Sequence, residues 1–264
     1  MNTQSILNSN NQKHLIDVDT HEFIKDLQIV VNATDRLSSQ RPILTYIHGK
    51  IDGNLIYLIA TNSHRLVLVK LSTWVPEELN NKDFLINAKF AKKLIKDKPK
   101  LGQNLLLSIV ANGLKVVTTI DNEQQTYIDN VKINPYHYPD IKCMLPDSSM
   151  IKTSFDIRRK DIFKQLQSLV KVCKNGKNYV VELTVNNDKV VISCNDTSYT
   201  LNAFNIKSNN SFTIYFNPIE LKKCLQHVSQ KELLSFNFSD GLSPFMVKGV
   251  RNPTILIAPV KVFN

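Results

Sequence analysis

"ILTYIHGKIDGNLIYLIATNSHRLVLVKLS", residues 43–72, alternates apolar and polar residues and is interrupted at Asp52–Gly53 and Asn62–Ser63. Period-two alternation broken by turn residues predicts two antiparallel strand pairs. Three other stretches repeat the design. "NLLLSIVANGLKVVTTI", 104–120, turns at Asn112–Gly113; "YVVELTVNNDKVVISC", 179–194, near Asn186–Asn187–Asp188; and "LLSFNFSDGLSPFMVKGV", 233–250, near Asp240–Gly241. Most of the chain therefore reads as short antiparallel strands.

Four helical segments interrupt the strands, starting near Asp19, Asn87, Arg158 and Asn217. Aligned on those residues, they share one plan. The residue before each start is apolar: Val18, Ile86, Ile157, Phe216. The residue four on is Phe23, Ala91, Ile162 or Leu221, and the residue eight on is Leu27, Ile95, Leu166 or Leu225. Those offsets fall on one helix face, and the leading apolar residue can staple against the one four past the cap. Asp19, Asn87 and Asn217 are good N-caps, whereas Arg158 is a poor one. Six residues past each start stands Lys25, Lys93, Lys164 or Lys223. That position lies roughly 200° from the offset-four residue, so each helix should pack one face and aim a lysine away from it. A solvated face is one reading of these lysines and a shared anion-facing surface is the other.

The chain has 264 residues, enough for two domains. The fold class expected is α+β, with two helix-plus-antiparallel-sheet halves per domain. A linker near "MLPDSSMIKTS", 144–154, separates the pairs, and a polar, asparagine-rich tail precedes them. A net charge of +10 points to an anionic partner, nucleic acid first. Neither G-x-G-x-x-G nor G-x-x-x-x-G-K-[ST] occurs, which sets aside nucleotide-dependent enzymes. Cys143, Cys173, Cys194 and Cys224 are spaced like neither a zinc site nor a disulfide framework, and buried thiols are expected. The histidines form no metal motif, so no metal and no cofactor are expected. No apolar run is long enough for a membrane span and no signal peptide is legible, so the expected location is cytoplasmic.

"ATNSHRL", 60–66, is similar to the A-T-D-G-H-R-L of the bacterial DNA polymerase III beta subunit, the sliding clamp family. "YPDIKCMLP", 138–146, resembles its F-P-D-Y-x-x-x-L-P, and "YFNPIELKKCLQHV", 215–228, its F-N-x-x-Y-L-x-D-x-L helix. "LSPFMV", 242–247, resembles its penultimate strand region, and "LIAPVKV", 256–262, is similar to its V-V-M-P-M-R-L ending. These matches keep the family's order over about residues 17–264 and cover its second and third domains only. The resemblance implies two DNA-clamp domains, 17–146 and 151–264, after a tail at 1–16. It implies a non-catalytic accessory subunit that encircles duplex DNA without sequence preference. Two domains per chain would close a six-domain ring as a homo-trimer.

The resemblance also implies a surface pocket that takes short linear motifs of the DNA polymerase and the clamp loader. Carried over by position, it would use Leu44, Thr61, Ser63, His64, Arg65, Leu66, Pro139, Cys143, Met144, Asn217, Glu220, Leu242, Pro244, Leu256, Ile257, Ala258, Pro259 and Val260. Ser63 stands where the family has glycine, Cys143 where it often has arginine, and Glu220 where it often has a residue that gates the pocket. The DNA-facing set would be Lys25, Lys89, Lys92, Lys93, Lys96, Arg159, Lys160, Lys164, Lys222 and Lys223. Two rival readings of Ser63–His64 are a hydrogen-bonded structural histidine and a catalytic pair. Adjacent strand residues point to opposite faces, which argues against the pair. For the whole chain, the alternatives are a non-ring decoy that occupies clamp-binding motifs and a generic basic nucleic-acid-binding protein.

Overall fold

The computed structural model of the chain describes residues 15–35, 40–174, 179–208 and 210–262. The chain divides into two compact units. Of the described residues, unit 1 holds those within 15–60 and 69–138, and unit 2 those within 61–68 and 139–262. The sequence boundary was expected in the 144–154 linker. Instead the chain passes to unit 2 after Tyr138, and the short segment 61–68 has already been lent to it. Residues 1–14 of the expected tail lie outside the described residues, while Ile16 is buried and opens the first strand.

Unit 1 begins with β1 (Ile16–Asp19) and α1 (Thr20–Val30). Strands β2 (Tyr46–Asp52), β3 (Leu55–Thr61), the end of β4 (Arg65–Ser72) and β5 (Asp83–Asn87) follow, then α2 (Ala88–Lys96). β6 (Asn104–Val110), β7 (Gly113–Ile120) and β8 (Glu123–Ile128) complete it. One antiparallel sheet has the order β1-β6-β7-β8, and β2 pairs with both β3 and β5. The two helices pack on each other. The apolar face read from sequence is the buried one: Phe23 and Leu27 of α1 and Ala91 of α2 are buried, and Ile95 is half-buried. Asp19 caps α1 by accepting from the Glu22 N–H at 2.9 Å, and Asn87 caps α2 by accepting from the Lys89 N–H at 2.9 Å.

One turn is displaced from its expected place. β6 and β7 are joined by Ala111–Asn112, not Asn112–Gly113, and Ala111 takes the positive φ of 52°. Gly113 is in β7 for a different reason. A Cβ there would lie 2.1 Å from the Asp129 carbonyl oxygen, so glycine is required by close backbone approach rather than by the turn.

Unit 2 contains β9 (Thr153–Arg158), α3 (Arg159–Lys174), β10 (Val181–Val185), β11 (Val190–Cys194), β12 (Thr197–Leu201) and β13 (Phe204–Lys207). β14 (Phe212–Phe216), α4 (Pro218–Leu225), β15 (Leu233–Phe238), β16 (Phe245–Gly249) and β17 (Thr254–Ile257) follow. One sheet has the order β12-β11-β10-β14; the other runs β13-β9-β15-β16-β17 and receives residues 65–68 of β4 beside β17. Stacked phenylalanines Phe155, Phe236, Phe238 and Phe245 fill its core. α3 packs on α4, and Ile162, Leu166, Leu221 and Leu225 are buried as the repeat required. Among the described residues, no helix is long and apolar enough to cross a membrane, and no group of three metal-binding side chains occurs.

Candidate partner-binding site and basic helix faces

Within unit 2, three separate stretches meet at the Thr61–Arg65 turn. The turn is built by its own polar side chains. Asn62 Oδ1 accepts from the backbone N–H groups of His64 (3.1 Å) and Arg65 (2.9 Å). The Thr61 hydroxyl donates to the Arg65 carbonyl at 2.8 Å and accepts from the Ser63 N–H at 3.1 Å. An asparagine closing a loop on backbone groups two and three residues on is a well-populated turn device. Ser63 sits at φ 73°. That is the left-handed region, where the family's glycine has no steric cost and a serine does.

The second stretch is the final strand. Arg65 and Leu66 pair with Ile257 and Leu256, and the ladder continues when the Ala258 N–H donates to the His64 carbonyl at 2.9 Å. The third is the start of α4. Asn217 caps it by accepting from the Ile219 N–H at 2.9 Å, and Pro218 fills the first turn. From that turn Glu220 pairs with the Arg65 guanidinium and accepts from the Asn62 side-chain amide at 3.1 Å. Phe216 bridges Pro259, and the Val260 N–H donates to the Tyr215 carbonyl at 2.7 Å. Thr61–Leu66, Asn217, Glu220 and Leu256–Val260 are thus tied into one hydrogen-bonded locus.

The members differ in what they offer a partner. Ser63 and His64 are exposed at the tip of the turn, and Ala258, Pro259 and Val260 are half-buried. Leu66, Leu256 and Ile257 are buried, so they support the locus rather than form an open wall. Arg65 is also buried, with 4% of its surface exposed; its charge is spent on Glu220 rather than presented. Leu44 is buried in unit 1, which removes it from the accessible set. Cys143, Met144, Leu242 and Pro244 are exposed and Pro139 is half-exposed, on loops of unit 2. The 239–244 loop is pinned by Asp240, which accepts from the N–H groups of Leu242 (2.8 Å) and Ser243 (2.6 Å). The Ser243 hydroxyl and those N–H groups hold its carboxyl below the usual carboxylate range. Cys143 corrects the expectation that every thiol is buried.

Ser63 and His64 lie in a turn and not in a strand, so the argument from opposite strand faces does not apply to them. Asn62 was missed from the expected set although it organises the turn and reaches Glu220. Its signal was available: Asn62–Ser63 reads as a turn, and an asparagine side chain commonly closes such a turn on the backbone two residues on.

The basic helix faces divide unevenly. In unit 1, Lys89, Lys92, Lys93 and Lys96 are all exposed on α2, and Lys25 of α1 is half-buried. Lys93 Nζ stands 5.5 Å from the Tyr127 ring centroid, a cation–π arrangement on β8. In unit 2, Lys160 and Lys164 are exposed, and Lys222 and Lys223 are half-buried. Arg159 departs from the expected DNA-facing set. It is buried, stacks 3.8 Å from the Phe163 ring, and donates to the Leu225 carbonyl (2.9 and 2.7 Å) and the Gln226 carbonyl (2.9 Å). Those carbonyls lie at the end of α4, where the Leu225 carbonyl otherwise accepts only from the Val228 N–H at 3.3 Å, and a guanidinium fork suits two of them at once.

The sequence pattern described as "DNA polymerase III beta subunit, central domain" matches residues 17–131. The beta sliding clamp of Staphylococcus epidermidis RP62A is 24% identical over 249 residues, covering 92% of this chain and 63% of the relative. That of Staphylococcus aureus Mu50 is 24% identical over 248 residues with the same coverage. The chain therefore spans about 63% of the length of these relatives. The crystal structure of the Bacillus subtilis sliding clamp superposes with a TM-score of 0.80 at 22% identity, over 95% of this chain and 65% of that one. The DNA polymerase III beta chain of Streptococcus pneumoniae gives 0.80 at 18%, over 99% and 67%. Shared motifs in order, a sequence pattern over residues 17–131 and a common fold make this chain similar to the beta sliding clamps.

Proposed function

We propose that the chain is a non-catalytic, cytoplasmic processivity factor that closes as a ring of three copies around duplex DNA. It tethers a DNA polymerase, and in turn a clamp loader, through short linear motifs docked at the Thr61–Arg65 locus. The observation that carries the reading is that locus: the turn, the first turn of α4 and the 256–260 stretch are hydrogen-bonded together in a chain similar to the beta sliding clamps. The exposed turn tip and the half-buried Pro259 and Val260 would receive the motif, and the exposed apolar Met144 and Leu242 supply anchoring surface. Tethering raises the polymerase's effective concentration at the template without any base-specific contact. The lysines of α1–α4 would face phosphates, giving weak, salt-sensitive binding.

Solution mass by light scattering across a concentration series tests closure. Three times 30.1 kDa supports the ring, and a monomer at every concentration removes it in favour of a non-ring binder of the same motifs. Changing Lys25, Lys93, Lys164 and Lys223 together to glutamate should shorten retention on nicked circular DNA and leave motif-peptide binding intact. Pro259→Glu should do the reverse. Normal peptide titration after that change would remove the docking assignment.

A further inference from the structure

Cys173 lies in the last turn of α3 and Cys194 ends β11, 21 positions apart. Their sulfurs are 2.6 Å apart, closer than two unbonded sulfurs ordinarily pack. A disulfide needs about 2.0 Å, so a small side-chain adjustment brings the pair to bonding distance. Both residues sit on elements fixed by other contacts. α3 packs on β11 and is clamped at its start by Arg159, and Cys194 is held in register opposite Thr197 of β12. The pair is asymmetric: Cys173 is fully buried, whereas Cys194 retains 6% exposure.

We propose that Cys173 and Cys194 form a reversible disulfide that fastens the C-terminal turn of α3 to β11 when a small-molecule disulfide is the oxidant. The chemistry is thiol–disulfide exchange. The less buried Cys194 thiolate attacks one sulfur of glutathione disulfide, and one glutathione leaves as thiolate. The Cys173 thiolate then attacks the Cys194 sulfur of the mixed disulfide, and the second glutathione leaves. Two protein thiols lose two electrons and two protons, and one glutathione disulfide becomes two glutathione thiols. Burial pushes the Cys173 thiol up to about 12, with Cys194 adding to the shift, so the second step is slow and local opening of α3 gates it. Cys143, exposed and alone, takes a glutathione adduct without closing a ring. The proposal does not depend on ring closure or partner docking.

The test uses the full chain carrying Cys143→Ser, which removes the exposed thiol. It is equilibrated over a series of reduced-to-oxidised glutathione ratios, with and without sub-denaturing urea to admit the reagent. It is then alkylated under denaturing conditions and mapped by mass spectrometry without reduction. The expected result is a fall from three alkylatable thiols to one, with a peptide linking Cys173 to Cys194 at two hydrogens less than its parts. Adding Cys194→Ser should leave Cys173 alkylatable or bearing glutathione, with no linked peptide. Should that variant misfold, the map of the single variant stands alone. Three thiols surviving at the most oxidising ratio in urea, or links that instead involve Cys224, overturn the proposal.

Discussion

In unit 1 the charged groups driven inside are carboxylates. Asp26 on α1 is buried, and burial, with Glu22 beside it and Lys25 opposing, raises its carboxyl to about 7. Asp129 is buried against α2's cap, where its carboxylate accepts from the Asn87 N–H; burial again raises it, with that hydrogen bond opposing. In unit 2 the buried charges are guanidiniums. Arg159 spans two carbonyls at the end of α4, and Arg65 pairs with Glu220 at its start. The two helix pairs share a staple plan but meet burial differently. A carboxylate can escape desolvation by taking up a proton near neutral pH; a guanidinium keeps its charge and must be hydrogen-bonded.

The largest effect that would break this contrast is in pH dependence. Between the unfolded carboxylate range near 4 and about 7, folded Asp26 holds a proton that the unfolded chain has lost, so its contribution makes stability fall as pH rises through that window. Asp26→Asn should remove the slope and stabilise the chain by about 4 kcal/mol at pH 8. His48, lowered by burial with Asp83 opposing, acts with the opposite sign and is common to both proteins. The difference between urea denaturation series of wild type and variant therefore isolates Asp26. A parallel pair of pH profiles would show that Asp26 is ionised and paired.

Next, Arg159→Met should destabilise by about 2 kcal/mol, because the Leu225 and Gln226 carbonyls lose the guanidinium donors and the Leu225 carbonyl keeps only the Val228 N–H at 3.3 Å. Hydrogen exchange should quicken at the end of α4 and stay unchanged in α1 and α2. Uniform quickening across both helix pairs would erase the distinction between the units. Ser63→Gly should raise stability by about 1 kcal/mol, as it relieves a positive φ in the Thr61–Arg65 turn. A loss instead would mean that the serine side chain supports the turn more than its backbone strains it. Smallest of all, Lys93→Met should cost about 0.5 kcal/mol through the Tyr127 contact. Equal stability would mean that the Tyr127 contact adds nothing.

Local chemistry was written plainly in the sequence. The caps at Asp19, Asn87 and Asn217, the apolar residues ahead of them and the offsets four and eight, buried in all but the half-buried Ile95, are all short-range, and a helix imposes its period on every residue it contains. The motifs around residues 60–66 and 256–262 likewise marked stretches that meet in space. Arg159 failed as a phosphate-facing residue because its position in a basic run says nothing of the carbonyls 66 residues away that capture it. Gly113 was read as a turn residue because the Asp129 carbonyl beside it arrives from another part of the chain.

The sequence by itself determined the elements, their apolar faces and the resemblance to the clamps, because these depend on neighbours within a few residues and on motif order. Only the tertiary structure decided that residues 61–68 belong with unit 2, that the Arg65 charge is spent on Glu220, and that Asp26 is buried. Each of those depends on long-range hydrogen bonding and desolvation, which are set by which segments meet and not by the local pattern of any one of them.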